Sequence, residues 1–249
     1  MFLTQYWDQA PPPPDIQELV ATQVAANPDC VHRLFDHGGA ADFIAQRCGG
    51  RSLRAFLDCA VPAMQADYFR YCALLADGGF WVDADARGVS ALSPLLPADA
   101  QGVVFERDNN NVINGCLGFR QPGHPLMALV HEIATEGIER RVSNSVWVTT
   151  GPGILTYLLL LTRLDAHDRA TLDFDAVGLD VTRSVRLCAE VALRRFPDLD
   201  GLFEGIAVRP FRTVDAVAPE DPLAYKRGPT HWVHWQGSIF ASERGSVPA

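Results

Sequence analysis

A chain of 249 residues with 48% hydrophobic and 20% charged residues has the profile of a globular protein with a sizeable core, and fits one larger domain. Its formal net charge of -9 repels phosphate backbones, which excludes nucleic acid as a general partner. A phosphorylated small molecule stays compatible, because a bound divalent metal reverses the sign of a site locally.

The first residues, "MFLTQYWDQAPPPP", lack a basic start and carry only a short apolar stretch, so no signal peptide is expected there. "FLTQYW" reads as a first strand, and the prolines of "APPPPD" as an extended turn. Asp15 is placed to cap the helix "IQELVATQVAANP". "VHRLFD" is a short strand, and "AADFIAQRCG" and "SLRAFLDCA" are helices. Pro62 suits the first turn of the helix "PAMQADYFRYCALLAD", which Gly78 and Gly79 end. "FWV" is then a buried strand, and "GVVFER" and "INGCLGFR" are further strands, with "DNNNVING" open to a hairpin turn.

"PLMALVHEIATEGIERR" is an amphipathic helix. "TTGPGILTYLLLLTRL" is a glycine turn feeding another helix, where the glycines suit either a plain helix start or a phosphate cradle. Its apolar run at 154–164 is shorter than the about 20 residues that cross a bilayer, so a buried helix is expected. "VRLCAEVALRRF" is helical, and "LFEGIAVRP" and "HWVHWQGSIF" are strands or loops. Strands alternate with helices, which predicts an α/β protein with a mainly parallel, Rossmann-like sheet flanked by helices. No repeat, low-complexity block or linker divides the chain, so residues 1–249 are read as a single domain. Cys30, Cys48, Cys59, Cys72, Cys116 and Cys188 show neither CxxC nor metal-type spacing and read as reduced thiols, several of them in the core. A cytoplasmic location is expected, with contact to a membrane surface left open.

The chemistry concentrates at residues 66–88, "ADYFRYCALLADGGFWVDADARG". Ligands of open α/β sheets bind beyond the carboxyl ends of the strands. In extended chain, Asp83 and Asp85 would project together past Ala84. Two adjacent carboxylates repel unless a cation or proton lies between them, and hard oxygen ligands suit Mg²⁺ or Mn²⁺ together with substrate phosphates. A solvated turn explains the pattern equally well, and a second Asp-x-Asp, Asp173 and Asp175, reads as a surface turn. On the preceding helix, Met64, Asp67, Tyr71 and Leu74 share one stripe, with Arg70 beside Asp67. An acid in such a stripe is paired or functional. His231 and His234 have no third zinc ligand at suitable spacing.

"ADYFRYCALLADGGFWVDAD" strongly resembles the core motif of the DXD-type glycosyltransferases, a group that includes fungal initiating mannosyltransferases, bacterial capsule-type sugar transferases and the glucosylating domains of large toxins. Their Asp-x-x-Arg, Gly-Gly, apolar strand and Asp-x-Asp fit this stretch without a gap. Weaker likenesses follow in order: the start through "VHRLFD", "INGCLGFRQPGHPLM", "VWVTTGPGILT" and "HWVHWQGS", with least likeness at 165–225.

The resemblance implies a GT-A fold, a nucleotide-sugar donor such as a UDP- or GDP-hexose, a divalent cation (Mn²⁺ or Mg²⁺) and retention of anomeric configuration. It assigns the cation to Asp85, the ribose and the cation's water shell to Asp83, and the donor sugar to Asp67, Arg70 and Asn114. His234 and Ser238 would approach the metal and diphosphate, with the segment from about 226 to 249 closing the donor site. Tyr6 or Trp7 would meet the base or ribose. Where the family commonly has Trp after Gly-Ser, this chain has Ile239, which leaves Trp235 to cover the leaving phosphate.

Two other classes compete. "FWVDADARG" also looks like the start of a phosphatase of the haloacid dehalogenase type, with Asp83 as nucleophile, but no convincing later Lys and acidic pair accompany it, Lys226 being the chain's one lysine. A non-catalytic module binding a sugar or nucleotide is the other.

Overall fold

Strand β1 (Phe2–Tyr6) begins the chain, and the prolines after it deliver Pro14 to the first position of helix α1 (Pro14–Ala26). A computed structural model describes residues 1–165, 167–168, 179–196, 199, 201–211, 217–219, 223–228 and 231–242. Pro13, not Asp15, stands at the cap of α1; Asp15 lies inside the first turn, where its carboxylate accepts from the Ile16 N–H. Proline at the first position needs no donor, so the acid serves the helix dipole instead.

Strand β2 (Val31–Phe35), helices α2 (His37–Arg47) and α3 (Gly50–Asp58), and helix α4 (Pro62–Asp77) follow. Pro62 starts α4 and Gly78 ends it, as the sequence predicts. Strands β3 (Gly79–Val82) and β4 (Ala86–Gly88) then flank the Asp83–Asp85 segment. Strands β5 (Gly102–Glu106) and β6 (Val112–Phe119) precede helices α5 (Pro125–Glu139), α6 (Val146–Thr149) and α7 (Gly153–Arg163). Helix α8 (Leu179–Arg195), β7 (Ile206–Pro210) and β8 (Val217–Pro219) come last.

The main sheet runs β2-β1-β3-β6-β5-β7, and β4 pairs with β8 in a separate two-stranded ribbon. Pairs β1–β2, β1–β3 and β5–β7 are parallel, while both pairs made by β6 are antiparallel. The α/β expectation holds, with the sheet mixed at β6. Asn110 takes a left-handed φ of 63° in the tight β5–β6 connection, where Arg107 and Asn111 pair through the backbone, so "DNNN" turns a hairpin. The sequence reading missed β4, β8 and α6; the first two have three residues each, too few for a periodic signal.

Side chains alternate across the sheet with period two. Trp81, Val104, Leu117 and Phe119 enter the core under α2–α5, α7 and α8, and Phe80, Val82, Val103 and Phe105 enter a second cluster with Leu92, Leu95 and Leu96. The next residue on the Trp81 face is Asp83, so the strand's own period aims this acid at α4. Helix α7 is buried along most of its length, and among the described residues no helix is long and apolar enough to cross a membrane. All six cysteines are free thiols, four of them buried. Asp173 and Asp175 lie outside the described residues.

The α4–β3 junction depends on two glycines with positive φ, Gly78 at 65° and Gly79 at 91°. A Cβ on Gly79 would lie 2.5 Å from the Phe2 carbonyl oxygen of β1, a backbone atom that cannot turn aside. Gly123 also has positive φ, at 73°, but open space around it. Gly123→Ala should therefore cost about 1–2 kcal/mol, the left-handed penalty alone. Gly79→Ala should cost at least about twice as much, because the clash adds to that penalty. Urea denaturation of both variants checks this, and equal losses would contradict the close approach of β1.

Candidate functional site

The site forms where β3 runs out beside the middle of α4. Buried Arg70, 2% exposed, lies between two acids. One guanidinium nitrogen donates to Asp67 Oδ1 at 2.5 Å and the other to Asp83 Oδ1 at 2.6 Å. The guanidinium also lies over the Trp81 ring, 5.1 Å from its centroid, and the Trp81 indole N–H donates to Asp83 Oδ1 at 2.8 Å. Asn114 Nδ2 donates to Asp67 Oδ1 at 2.9 Å, and at 3.3 Å to the Tyr71 hydroxyl, which itself donates to the Gly151 carbonyl. Three of the predicted residues, Asp67, Arg70 and Asn114, are thus buried together, with Asp83 at their outer edge, its side chain 38% exposed.

Electrostatics differ between the two acids on Arg70. Burial pushes the Asp67 carboxyl up to about 7, against the pull of Arg70 and with a further push from Asp83. Arg70 pays a burial penalty too, but Asp83 and Asp67 more than offset it and raise its pKa. Its charge is therefore permanent.

The segment after β3 is not extended. The Ala86 N–H donates to the Asp83 carbonyl at 3.1 Å, closing a turn over residues 83–86. Ala84 is 3% exposed and packs with Ile16, Leu19 and Val20 of α1. The acids on either side of it have separate partners. Asp85 Oδ2 accepts from the Tyr225 hydroxyl at 2.5 Å and lies 3.1 Å from the Lys226 ammonium. The expectation of two carboxylates projecting together from extended chain is corrected: apolar burial of Ala84 turns the chain, and each acid meets a protein cation of its own. Gly115, opposite this turn, has a reason to be glycine, since its Cβ would lie 2.6 Å from Asp83 Oδ2.

The remaining predicted residues divide. Tyr6 is 4% exposed, packs edge-on against Phe56, and donates its hydroxyl to Gln65; its ring belongs to the core. Trp7 is half-buried and packs edge-on against Tyr225 at 5.1 Å. It lines an open cleft of about 190 Å³ with Phe35, Asp36 and Gly39, at the ends of β1 and β2, and among the described residues its buried indole N–H has no hydrogen-bond partner. His234 is exposed, 6.0 Å from the His231 ring, which is 5.8 Å from Tyr225. Trp235 turns its N–H to the Ser238 carbonyl. Ile239, in the place of the family's Trp, is 2% exposed, with its N–H on Asn144 and its carbonyl accepting from Ala60. In "TTGPG", Cβ atoms on Gly151 and Gly153 would strike Trp147 within 2.8 Å, so packing against α6 accounts for both glycines.

Sequence reasoning missed Trp81, Gly115, Tyr225 and Lys226. Trp81 was findable, two residues before Asp83 on the same strand face. The other three meet the acids through contacts distant in sequence and leave no local pattern.

No family model matches the chain. It is 26% identical over 159 residues to the initiation-specific alpha-1,6-mannosyltransferase of Schizosaccharomyces pombe, a match over 52% of this chain and 40% of that protein. The chain thus aligns with less than half the length of this curated relative. Among solved structures it is similar to the PaToxG glycosyltransferase, with a TM-score of 0.51, 16% identity and coverage of 80% of this chain and 85% of that one. The fold is the α/β, GT-A-like one, and both matches are to glycosyltransferases.

Two outcomes follow from the buried triad. Arg70→Met leaves two acids without their shared cation and should cost about 3–5 kcal/mol, read by urea denaturation; a loss under about 1 kcal/mol would mean that the pairing is unimportant. Asp67 holds its proton more tightly folded, at about 7, than at the ordinary 3.8, so it contributes stability below about pH 4 that is lost as pH rises to about 7. Asp67→Asn keeps a neutral group there. The variant should gain on the parent protein between pH 5 and pH 8, and parallel stability curves would contradict the raised pKa.

Proposed function

We propose that this chain is a metal-dependent, retaining glycosyltransferase that moves a hexose from a nucleotide-diphosphate sugar, UDP- or GDP-linked, to an acceptor. The observation that carries the reading is Arg70 held between Asp67 and Asp83 at the end of β3, with Asn114 on the same acid. Similarity to a mannosyltransferase in sequence and to a glycosyltransferase in fold supports it.

In this reading Asp67, Arg70 and Asn114 hold the donor sugar. The hydrogen bonds that Asp67 already accepts fix its carboxyl for a cation-like sugar carbon. Trp7, whose indole N–H has no partner among the described residues, supplies an edge of the cleft for base or ribose, and Asp83 the ribose contact. The segment from 226 closes over the diphosphate, with His234, Trp235 and Ser238 on its outer course. No covalent nucleophile is assigned.

The acid pair suits a hard cation in its donor chemistry. Both hydrogen bonds to Asp83 fall on Oδ1, and both contacts to Asp85 on Oδ2; among the described residues the second oxygen of each accepts nothing. Two carboxylates are no closed cage, and among the described residues no cluster of three or more His, Cys, Asp or Glu could hold an ion. Mg²⁺ and Mn²⁺ commonly take one or two carboxylates and complete their shell with water and substrate phosphates. Such a cation, once bound, would offset the charge that develops on the departing diphosphate.

Thermal shift with UDP, GDP and their hexose conjugates, with and without Mn²⁺, tests the reading. The expected result is stabilisation by one nucleotide series that requires Mn²⁺ and is lost in Asp85→Asn. Stabilisation indifferent to Mn²⁺ and intact in Asp85→Asn would overturn metal dependence. Binding with neither transfer nor hydrolysis would favour the non-catalytic module. Phosphate release from simple phosphoesters would favour a phosphatase with Asp83 as nucleophile.

A further inference from the structure

Of the six thiols, Cys30 and Cys48 are half-buried and the other four are buried. Cys48 closes α2, and its Sγ donates to the Cys72 carbonyl of α4 at 3.9 Å, across 24 residues of sequence. The two thiols also hydrogen-bond each other, one partly open to solvent and the other inside the core.

The backbone around the pair favours closure. Arg47, one residue before Cys48, donates to the Ala76 carbonyl at 3.1 Å and to Asp77 at 2.5 Å, which clamps the end of α2 onto the last turn of α4. Cys72 lies in the interior of α4, held by the helix on both sides. Cys48 stands where the chain yields: it ends α2, and Gly49 and Gly50 follow it. Gly49 takes a left-handed φ of 88°, with nothing within 4 Å of its Cβ position. The Cys48 carbonyl accepts from the Ser52 hydroxyl at 3.2 Å, a side chain able to follow a small shift. The short move that takes two touching thiols to bonding distance therefore falls on the end of α2.

The two sulfurs differ in character. The Cys72 thiol and the Arg47 guanidinium hold the Cys48 thiol below its ordinary value, against burial and Asp77. The carbonyl end of α2 also works against a thiolate there, and Arg47 offsets it. Burial drives Cys72 the other way, well above the ordinary value. Cys30, the other half-buried thiol, is raised by burial and by Asp29. Cys48 is thus the nucleophile, and Cys72 keeps its proton until a partner sulfur becomes electrophilic.

We propose that Cys48 and Cys72 form a peroxide-reactive pair that closes into a disulfide between α2 and α4. A hydroperoxide is the oxidant. The Cys48 thiolate attacks one peroxide oxygen, the O–O bond breaks, and Cys48 becomes a sulfenic acid as hydroxide leaves. The Cys72 sulfur then attacks the Cys48 sulfur, the S–O bond breaks, and the Cys72 proton leaves with that hydroxide as water. Two electrons pass from the sulfurs to the peroxide, and a thiol reductant reverses the step. At about 100° per residue, Cys72 stands about 200° around α4 from Arg70. The link therefore fastens the fold on the far face of α4 from the candidate site, and the inference is independent of the glycosyltransferase reading.

The test treats dilute protein with hydrogen peroxide, alkylates it in denaturant and maps it after trypsin. The product should be lighter by about 2 Da, the two hydrogens lost. The peptide Cys48–Arg51 should be joined to Tyr71–Arg87, and dithiothreitol should part them. Closing a loop of 24 residues should raise the thermal midpoint by about 5–10 °C. Cys48→Ser should abolish the mass loss. In Cys72→Ala, Cys48 should stop at the sulfenic acid and take up dimedone at least about threefold more than the unmodified chain does.

Absence of the joined peptides, or oxidation of Cys30 as fast as Cys48, overturns the proposal. Equal dimedone uptake in Cys72→Ala and the unmodified chain overturns it too, by removing Cys72 from the reaction. A joined product whose thermal midpoint falls would show a strained closure that the end of α2 does not accommodate, with the same consequence. Should Cys72→Ala fail to fold, the peptide maps of the unmodified chain and Cys48→Ser decide alone.

Discussion

One guanidinium organises this molecule's candidate site. Arg70 is 2% exposed and shared by Asp67, a helix residue, and Asp83, the first residue beyond a strand. Taking Arg70 and Asp67 out of water is costly, and a buried pair seldom repays that cost against apolar residues of equal size. Its benefit is positional. With Arg70 in place, α4 and the end of β3 cannot slide past one another without breaking a charge-assisted bond of 2.5 or 2.6 Å. Trp81 closes the fourth side, as the ring beneath the cation and as a donor to the same oxygen of Asp83.

The sequence shows this arrangement in part. Helix α4 and strand β3 were legible because proline and glycine punctuate them: Pro62 starts one, and the pair Gly78–Gly79 separates the two. The Asp67–Arg70 contact follows from helical spacing alone. Its extension to Asp83 does not. That contact needs the period of β3 counted onward from Trp81 and the packing of β3 beneath α4, which no local window contains. The same limit explains β6, whose antiparallel pairing on both sides depends on a hairpin with β5 and on neighbours chosen by the whole sheet.

The acid pair was misjudged for a more instructive reason. Strand alternation holds to Asp83, whose N–H still donates to the Gly115 carbonyl, and fails at the next step, because the Asp83 carbonyl closes a turn with the Ala86 N–H. Ala84 was read as a spacer, yet it is the residue that decides the geometry, because its burial against α1 bends the backbone. Two acids flanking a small apolar residue therefore say little about where their carboxylates point until the partner of that residue is known. Tyr225 and Lys226, 140 and 141 residues beyond Asp85, were invisible for the related reason that an ion pair has no periodicity.

Depth then separates the two cations into different kinds of object. Arg70 has two acids, a ring and almost no solvent, and its charge is raised beyond removal. Nothing that binds reversibly could displace it at reasonable cost. Lys226 has a partner 21% exposed and a compact charge on a four-carbon stem. The delocalised, permanently charged group stands on the buried face of α4, and the ammonium on a C-terminal turn held by aromatic packing. The asymmetry follows from the depth of each side chain, 2% exposed at Arg70 and 22% exposed at Lys226.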